Sequence, residues 1–235
     1  MSQREIDSVI DAFARGAEDA KRLGFDGAEI HGAHGYLVDQ FFWDKLNQRT
    51  DGYGGTMRNR ARFAAEIVAE ARRRVGSDFP ILMRISQWKL QDYGAKVATT
   101  PQELQDWVEP LVDAGVDVID CSQRRYWQPE FAGSTLNLAG WVKKISGKPT
   151  IAVGSVGLSQ DMVESLSQAM DADLAPLDRL MEMFGRDEFD LVAVGRALIA
   201  DPDWPTKIRT GRTDELRRFN ISILTESPSH ADLAV

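Results

Sequence analysis

Apolar residues recur along the chain in two periods that alternate from the N-terminus to about residue 200. Near the start they return every three or four positions with charges between them, which is the spacing of an amphipathic helix ending at Gly24. A short, continuously apolar run, Ala28–His31, follows at once and is typical of a buried strand. The pattern then repeats, and a polar loop over residues 39–58 is its longest interruption.

The repeated pattern predicts five strands, each preceded by a helix. The later strands are expected at Ile81–Ile85, Val116–Asp120, Thr150–Val153 and Phe189–Val194. The further helices are expected around Phe63–Ala71, Pro101–Ala114, Leu138–Ile145 and Leu177–Phe184, with one more after a capping Ser159. Because the strands are too far apart for hairpins, the sheet should be parallel. Such a sheet is either doubly wound, the default for this pattern, or an incomplete (β/α)8 barrel.

The chain has 235 residues, of which 43% are hydrophobic and 27% are charged, and this composition is that of an ordinary globular protein. No linker divides the chain, so we expect one domain over residues 1–225 and a polar tail over residues 226–235. The net charge of −8 argues against nucleic acid or an anionic membrane surface as a partner. No apolar run reaches the roughly 20 residues of a membrane span, and the N-terminus lacks the apolar core of a signal peptide. A cytoplasmic location is therefore expected.

The most informative stretch is residues 27–36, where a strand pattern ends in His31, His34 and Tyr36. In parallel α/β folds, the C-terminal ends of strands carry the active site, so these three side chains are candidates for catalysis or binding. The alternative is a strand end whose histidines bond to backbone carbonyls. Glu29 is the only credible further ligand nearby, so no metal site is predicted. The third histidine, His230, lies in the tail and receives no role.

Two further segments could meet a ligand. Arg84 lies inside an apolar strand, and a buried guanidinium requires either a carboxylate or a cofactor whose charge it stabilises. The turns at Gly154-Ser155 and Gly195-Arg196 follow the last two strands, where backbone amides can approach a phosphate and the arginine can clamp it. Tight strand–helix turns that use glycine only for its conformation are the alternative.

Three remaining features predict packing rather than chemistry. The loop from Asn47 to Gly55 is dense in charges and glycine and should fold on itself through salt bridges. Tyr126 and Trp127 either line a substrate pocket or pack over the rim of the fold. Cys121, the only cysteine, excludes an intrachain disulfide and a cysteine-ligated iron–sulfur cluster, and reads as a small buried residue.

Taken together, the motifs resemble the Old Yellow Enzyme family of flavin-dependent oxidoreductases. The resemblance extends from about residue 5 to about residue 220, in the family's order. The segments that carry it are Gly24–Tyr36, Asn47–Phe63, Met83–Ile85, Val153–Gly157 and Val194–Pro202. The segment from Arg124 to Gly157 most resembles the branch of 12-oxophytodienoate reductases and bacterial ene-reductases.

The resemblance implies a (β/α)8 TIM barrel with FMN at its C-terminal mouth, reduced by NAD(P)H before an α,β-unsaturated carbonyl substrate binds. It implies that His31 and His34 hold the substrate carbonyl oxygen and that Tyr36 protonates the α-carbon. Arg84 corresponds to the arginine beside the flavin pyrimidine ring. The residues that correspond to the FMN phosphate site are Gly154, Ser155, Gly195 and Arg196.

In the family, three strands precede the helix at which this chain begins, so the resemblance implies strands four to eight of an incomplete barrel. Two unpaired sheet edges are then expected, with a tendency to self-association. We also expect weak FMN binding and impaired reduction of the C=C bond. Alternatives are a non-catalytic truncated remnant, one part of a split barrel that needs another polypeptide, or a sugar-phosphate lyase or isomerase using the same glycine turns.

Overall fold

The computed structural model of the chain describes residues 1–167 and 170–224. The strands are β1 (Ala28–His34), β2 (Ile81–Lys89), β3 (Val118–Ser122), β4 (Thr150–Val153) and β5 (Leu191–Ala193). The helices are α1 (Gln3–Arg22), α2 (Leu37–Phe42), α3 (Met57–Val75), α4 (Pro101–Asp113), α5 (Leu138–Ser146), α6 (Met162–Ser167), α7 (Asp178–Gly185), α8 (Arg196–Ala200) and α9 (Trp204–Arg209). The predicted tail over residues 226–235, with His230, lies outside the described residues.

The five strands form one sheet in the order β1-β2-β3-β4-β5, and every neighbouring pair is parallel. Strands adjacent in sequence are therefore adjacent in the sheet. A doubly wound sheet reverses its strand order at a switch point, whereas a (β/α)8 barrel keeps it. The order confirms an incomplete TIM barrel over the doubly wound default, and within the described residues β1 and β5 each keep one unpaired edge.

The two faces of the sheet carry different side chains. One face packs against the helices through buried residues such as Ile85 and Cys121, and burial raises the pKa of the Cys121 thiol. Cys121 is thus the small buried residue that the sequence predicts. The other face carries Arg84 and Asp120, which are paired across β2 and β3, and Leu191 at its edge is 55% exposed. This second face corresponds to the interior of a barrel.

At the N-terminal ends of the strands, aspartates hold the strand entries. Asp117 Oδ2 accepts the backbone N–H of Ile81 at 2.8 Å, and Asp190 Oδ2 accepts that of Thr150 at 2.8 Å. Lys143 Nζ lies 3.0 Å from Asp190 Oδ1. These contacts fix the start of β2 and of β4, so the sheet is held at the end opposite the strand ends that carry His34.

The charged loop before α3 folds on itself as predicted. Asn47 Nδ2 donates to the Tyr53 carbonyl oxygen at 2.7 Å, and Arg49 pairs with Asp51 at 2.5 Å. Gly54 packs so close to Arg49 that an added Cβ would lie 1.9 Å from the Arg49 carbonyl oxygen. Only glycine fits there, which explains the glycine-rich sequence of the loop.

Two polar stretches of the sequence form helix or strand that the hydrophobic pattern does not predict. The predicted loop over residues 39–58 is wrong at its start, because α2 occupies its first residues and buries Asp39. The strand predicted to end at Ile85 continues to Lys89. Ser86 and Gln87 are polar yet buried, and hydrogen bonds satisfy both side chains. Polar residues that find partners inside the fold are indistinguishable from loop residues in sequence.

Other predicted boundaries also shift. Ser159 does not cap the helix after β4, because its N–H and hydroxyl bond to the Asp173 carbonyl; Asp161 caps α6 instead, accepting the Glu164 N–H at 3.0 Å. β3 begins and ends two residues later than predicted, whereas β5 begins two residues later and ends one residue earlier. Val116 and Phe189 are buried before these strands without joining the ladder, so their apolar character extends the predicted runs.

Among the described residues, no helix is long and apolar enough to cross a membrane. The cytoplasmic location and the single domain over residues 1–225 stay predictions.

We expect Arg72→Met to lower the free energy of unfolding by about 2 kcal/mol, because Arg72 pairs with Asp117 and donates to the carbonyl oxygens of Phe79 and Gly115. Urea denaturation measures the change. Arg73→Met is the matched control, since Arg73 is 68% exposed and pairs only with Glu70 within the described chain. Equal effects of the two substitutions would contradict the assignment of Arg72 as a structural tie.

Candidate active site

A cavity of about 350 Å³ lies where the strands end. Its size is within the range of small-molecule sites. The loops that follow all five strands contribute to its wall. Its wall includes His34, Tyr36, Arg84, Trp88, Ser155 and Arg196.

The turn after β1 brings the predicted catalytic residues to this cavity. His34 and Gly35 both adopt left-handed backbone conformations, with φ of 62° and 85°. The turn places the His31 ring 5.2 Å from the His34 ring and 5.3 Å from the Tyr36 ring, between centroids. His34 and Tyr36 line the cavity, whereas His31 stands beside them and is not part of the wall formed by the described residues.

His34 is the most tightly held of the three side chains. Its ring stacks on Trp88 at 4.2 Å between centroids, and its Nε2 lies 2.8 Å from the Ser122 hydroxyl. Burial, with the nearby charges of His31, Arg84 and Lys89, lowers the pKa of His34 to about 3. Burial and the charge of Arg84 also lower the pKa of His31. Both imidazoles are therefore neutral hydrogen-bonding groups at neutral pH.

Tyr36 lies at the opening of the cavity with 54% of its surface exposed. Within the described part of the chain, its hydroxyl has no hydrogen-bond partner. A phenol in this position can be reached by a molecule in the cavity, which suits a group that donates a proton.

Arg84 forms the ion pair that is one of the two alternatives left open by the sequence. Its Nε lies 3.0 Å from Asp120 Oδ2 and 3.4 Å from Glu29 Oε1, so the ion-pair alternative is confirmed, with the guanidinium partly buried. The guanidinium also lines the cavity. Burial and the charge of Asp120 raise the pKa of Glu29 to about 7. A fixed positive charge therefore faces the cavity from the middle of the sheet, while contact with a cofactor stays a prediction.

The glycine turns at the ends of β4 and β5 meet at the far side of the cavity. An added Cβ on Gly154 would lie 2.6 Å from the Gln123 carbonyl oxygen, so only glycine fits where the loop after β4 passes the loop after β3. Arg196 donates to the Gln160 carbonyl oxygen at 2.7 Å and to Ser165 Oγ at 2.6 Å. These acceptors are uncharged, and no ion pair of Arg196 is present among the described residues.

Arg124 is a second cation at this end that the sequence did not single out. Its guanidinium lies 4.0 Å from the centre of the Tyr93 ring, and its terminal nitrogen lies 3.3 Å from Asp161. Its Nε is buried and has no hydrogen-bond partner within the described residues. An orphaned donor beside the Gly154 cradle and Arg196 fits an anionic group such as the phosphate of FMN.

Sequence reasoning also missed Trp88 and Ser122, which hold His34 from neighbouring strands. Their positions at strand ends were the available signal. Tyr126 and Trp127 are outside the wall formed by the described residues: Tyr126 is 4% exposed and packs edge-to-face on Trp127, so packing is the correct alternative. Within residues 1–167 and 170–224, no three His, Cys, Asp or Glu side chains group to hold a metal ion.

Comparisons with known proteins agree with this geometry. The model of the "NADH:flavin oxidoreductase / NADH oxidase family" matches residues 1–215. Similar proteins include an NADH oxidase of Thermoanaerobacter brockii, 35% identical over 91% of this chain and 31% of the relative. An NADPH dehydrogenase of Halalkalibacterium halodurans is 34% identical over 87% of this chain and 54% of the relative. 12-Oxophytodienoate reductase 2 of Arabidopsis thaliana is 30% identical over 89% of this chain and 50% of the relative.

A solved structure of morphinone reductase in complex with tetrahydroNAD has a TM-score of 0.74, with 23% identity, and covers 99% of this chain and 55% of that chain. At this identity the likeness concerns the fold. The chain spans about a third to a half of the length of these relatives. The matches favour a flavin oxidoreductase over the sugar-phosphate alternative.

The lowered pKa of His34 makes stability depend on pH in a defined direction. The unfolded chain takes up this proton below the ordinary value of 6.5, and the folded chain only near 3. The stability from His34 is therefore complete above pH 6.5 and is lost as the pH falls toward 3. We expect His34→Asn, which gains no proton, to lose less stability between pH 7 and about 4.5 than the unmodified chain. Urea unfolding at both pH values checks this, and equal losses would refute it.

Proposed function

The chain belongs to the NADH:flavin oxidoreductase / NADH oxidase family, the Old Yellow Enzyme family that its motifs resemble, and on that premise we propose that it reduces the C=C bond of α,β-unsaturated carbonyl compounds. Members of this family use FMN and NAD(P)H. The observation that carries the proposal is the cluster of His31, His34 and Tyr36, of which His34 and Tyr36 line a cavity that also contains fixed positive charge.

The two histidines bind the substrate carbonyl oxygen. A neutral imidazole offers one ring N–H, and two such donors stabilise the negative charge that develops on the oxygen as the C=C bond is reduced. Because His34 stays neutral at physiological pH, it has no extra proton to give. The proton for the α-carbon then comes from the exposed hydroxyl of Tyr36.

Residues at the opposite side of the cavity hold FMN. Gly154 and Gly195 would lie beside its phosphate, Ser155, Arg124 and Arg196 would supply donors, and Arg84 would place a positive charge near the flavin ring. When bound there, FMN would supply hydride-transfer chemistry between NAD(P)H and the β-carbon of the substrate. Because β1 and β5 keep unpaired edges in the described residues, we expect this chain alone to hold FMN weakly and to turn over slowly.

Two relatives support the substrate class and the reductant. One is named a 12-oxophytodienoate reductase and another an NADPH dehydrogenase. Anaerobic assays of the chain with FMN, NADPH and cyclohexenone test the proposal directly. Reduced cyclohexenone is the expected product; absence of any FMN binding would favour the alternative of a non-catalytic remnant or of one part of a split barrel. Native mass spectrometry of the same sample would report self-association through the open edges.

We expect Tyr36→Phe to lower the rate of cyclohexenone reduction by about a hundredfold or more, the usual scale of a lost general acid. Reduction of ferricyanide by the same flavin requires no proton donor, so its rate should not change. Tyr53→Phe is the matched control, because the Tyr53 hydroxyl bonds to Glu66 at 2.8 Å outside the cavity. A loss of both activities in Tyr36→Phe would contradict a specific role in proton transfer.

We expect Arg196→Met to weaken FMN binding about tenfold to a hundredfold, which is the worth of one charge-assisted hydrogen bond of roughly 1.5–3 kcal/mol. Quenching of flavin fluorescence on titration measures the Kd. The exposed Arg209→Met on α9 removes the same charge away from the cavity and should leave the Kd unchanged. Equal Kd values for the two variants would remove Arg196 from the phosphate site.

A further inference from the structure

A buried ion pair lies directly beneath the turn that carries His34 and Tyr36. Asp39 on α2 and Lys89 at the end of β2 are both 0% exposed, and Asp39 Oδ2 lies 2.7 Å from Lys89 Nζ. Removing two charges from water is costly, and an apolar pair of similar volume is often no less stable. Stability alone therefore does not explain the presence of this pair.

The carboxylate of Asp39 reaches the turn itself. Its Oδ2 accepts the backbone N–H of Gly35 at 2.6 Å, while its Oδ1 accepts from Lys89 Nζ at 2.8 Å. Burial raises the pKa of Asp39 to about 6, while the charge of Lys89 and the hydrogen bonds from Lys89 and Gly35 oppose that shift. A cation at 2.7 Å and a backbone N–H at 2.6 Å favour the ionised carboxylate. An ionised acceptor makes a shorter and stronger bond to an amide than a neutral one.

The neighbouring amide of the turn is held from the same strand. Ser86 Oγ accepts the N–H of His34 at 2.9 Å, and Lys89 Nζ donates to the Ser86 carbonyl oxygen at 3.0 Å. Both residues with positive φ thus have their amides fixed by side chains. For His34, which is not glycine, the left-handed conformation is unfavourable by itself and persists only where its surroundings enforce it.

We propose that Asp39 and Lys89 are positioning residues that act through Gly35: Lys89 fixes the Asp39 carboxylate, and the carboxylate fixes the turn that sets His34 and Tyr36 at the cavity. The consequence for catalysis rests on the proposed function. The anchorage of the turn does not, because it can be observed in the chain without FMN.

Two double variants separate the hydrogen bond from the charges. D39N/K89M and D39L/K89M both remove the two buried charges, but only asparagine keeps an oxygen that can accept the Gly35 N–H. We expect D39L/K89M to reduce cyclohexenone about tenfold or more slowly than D39N/K89M, with equal rates for ferricyanide, since a misplaced turn affects the substrate carbonyl and the proton donor but not electron transfer.

The same variants have a readout without flavin. In the NMR spectrum of the chain, the Gly35 amide proton should exchange slowly with solvent and resonate downfield, as expected for a short bond to a carboxylate. We expect its protection to be retained in D39N/K89M and lost in D39L/K89M. The ring resonances of His34 should move together with that loss.

A matched control comes from the opposite end of the sheet. Asp190 also accepts a backbone amide, that of Thr150, and also pairs with a lysine, Lys143. D190L/K143M therefore removes a comparable acceptor and its lysine far from the cavity, although this pair is partly exposed and Lys143 also pairs with Asp187. It should lower the midpoint of urea unfolding without changing the ratio of cyclohexenone to ferricyanide rates.

Several outcomes would overturn the proposal. One is a Gly35 amide in the unmodified chain that exchanges as fast as exposed loop amides, a result that does not depend on whether any variant folds. Another is a D39L/K89M protein with an unchanged ratio of rates and an unchanged His34 spectrum. If the unmodified chain reduces no cyclohexenone, the proposed function fails, while the Gly35 measurements still decide whether Asp39 anchors the turn.

Discussion

Parallel pairing of five strands in sequence order is the constraint on which the rest of this structure depends. Each strand must be followed by a crossover, so every strand ends at the same edge and every loop after a strand faces the same cavity. His34, Arg84, Ser122 and Gly154 lie far apart in sequence and meet only because of this order. The chemistry of the site is therefore a product of topology before it is a product of individual residues.

Within this sheet, burial and neighbouring charges set the charge of each ionisable group at the site. Arg84 sits between two carboxylates in the face that corresponds to a barrel interior, and burial leaves one of them, Glu29, with a pKa near neutrality. His34 lies close by and is kept neutral by the same loss of water together with the positive charges around it. A site that needs neutral donors beside a fixed cation is built here from desolvation and from the balance of neighbouring charges.

Much of this could be predicted from the sequence, because the relevant signals were local. The apolar runs placed the five strands, and the short distance between His31 and Tyr36 required only one turn to bring them together. Arg124, Trp88 and Ser122 escaped because their roles depend on contacts across neighbouring loops and strands. Sequence reasoning missed Asp39 and Lys89 for another reason. A charged residue is expected to be exposed, and the burial of each of these two depends on a partner 50 residues away.

The strand entries and the strand exits of this sheet are maintained by separate sets of residues. Asp117 and Asp190 bind amides at the entries, whereas the turn at His34 and the glycine at 154 shape the exits. The bonds that fix one end therefore involve none of the residues that shape the other. For protein engineering, this separation makes the loops after the strands a region that can be exchanged while the sheet serves as a constant scaffold.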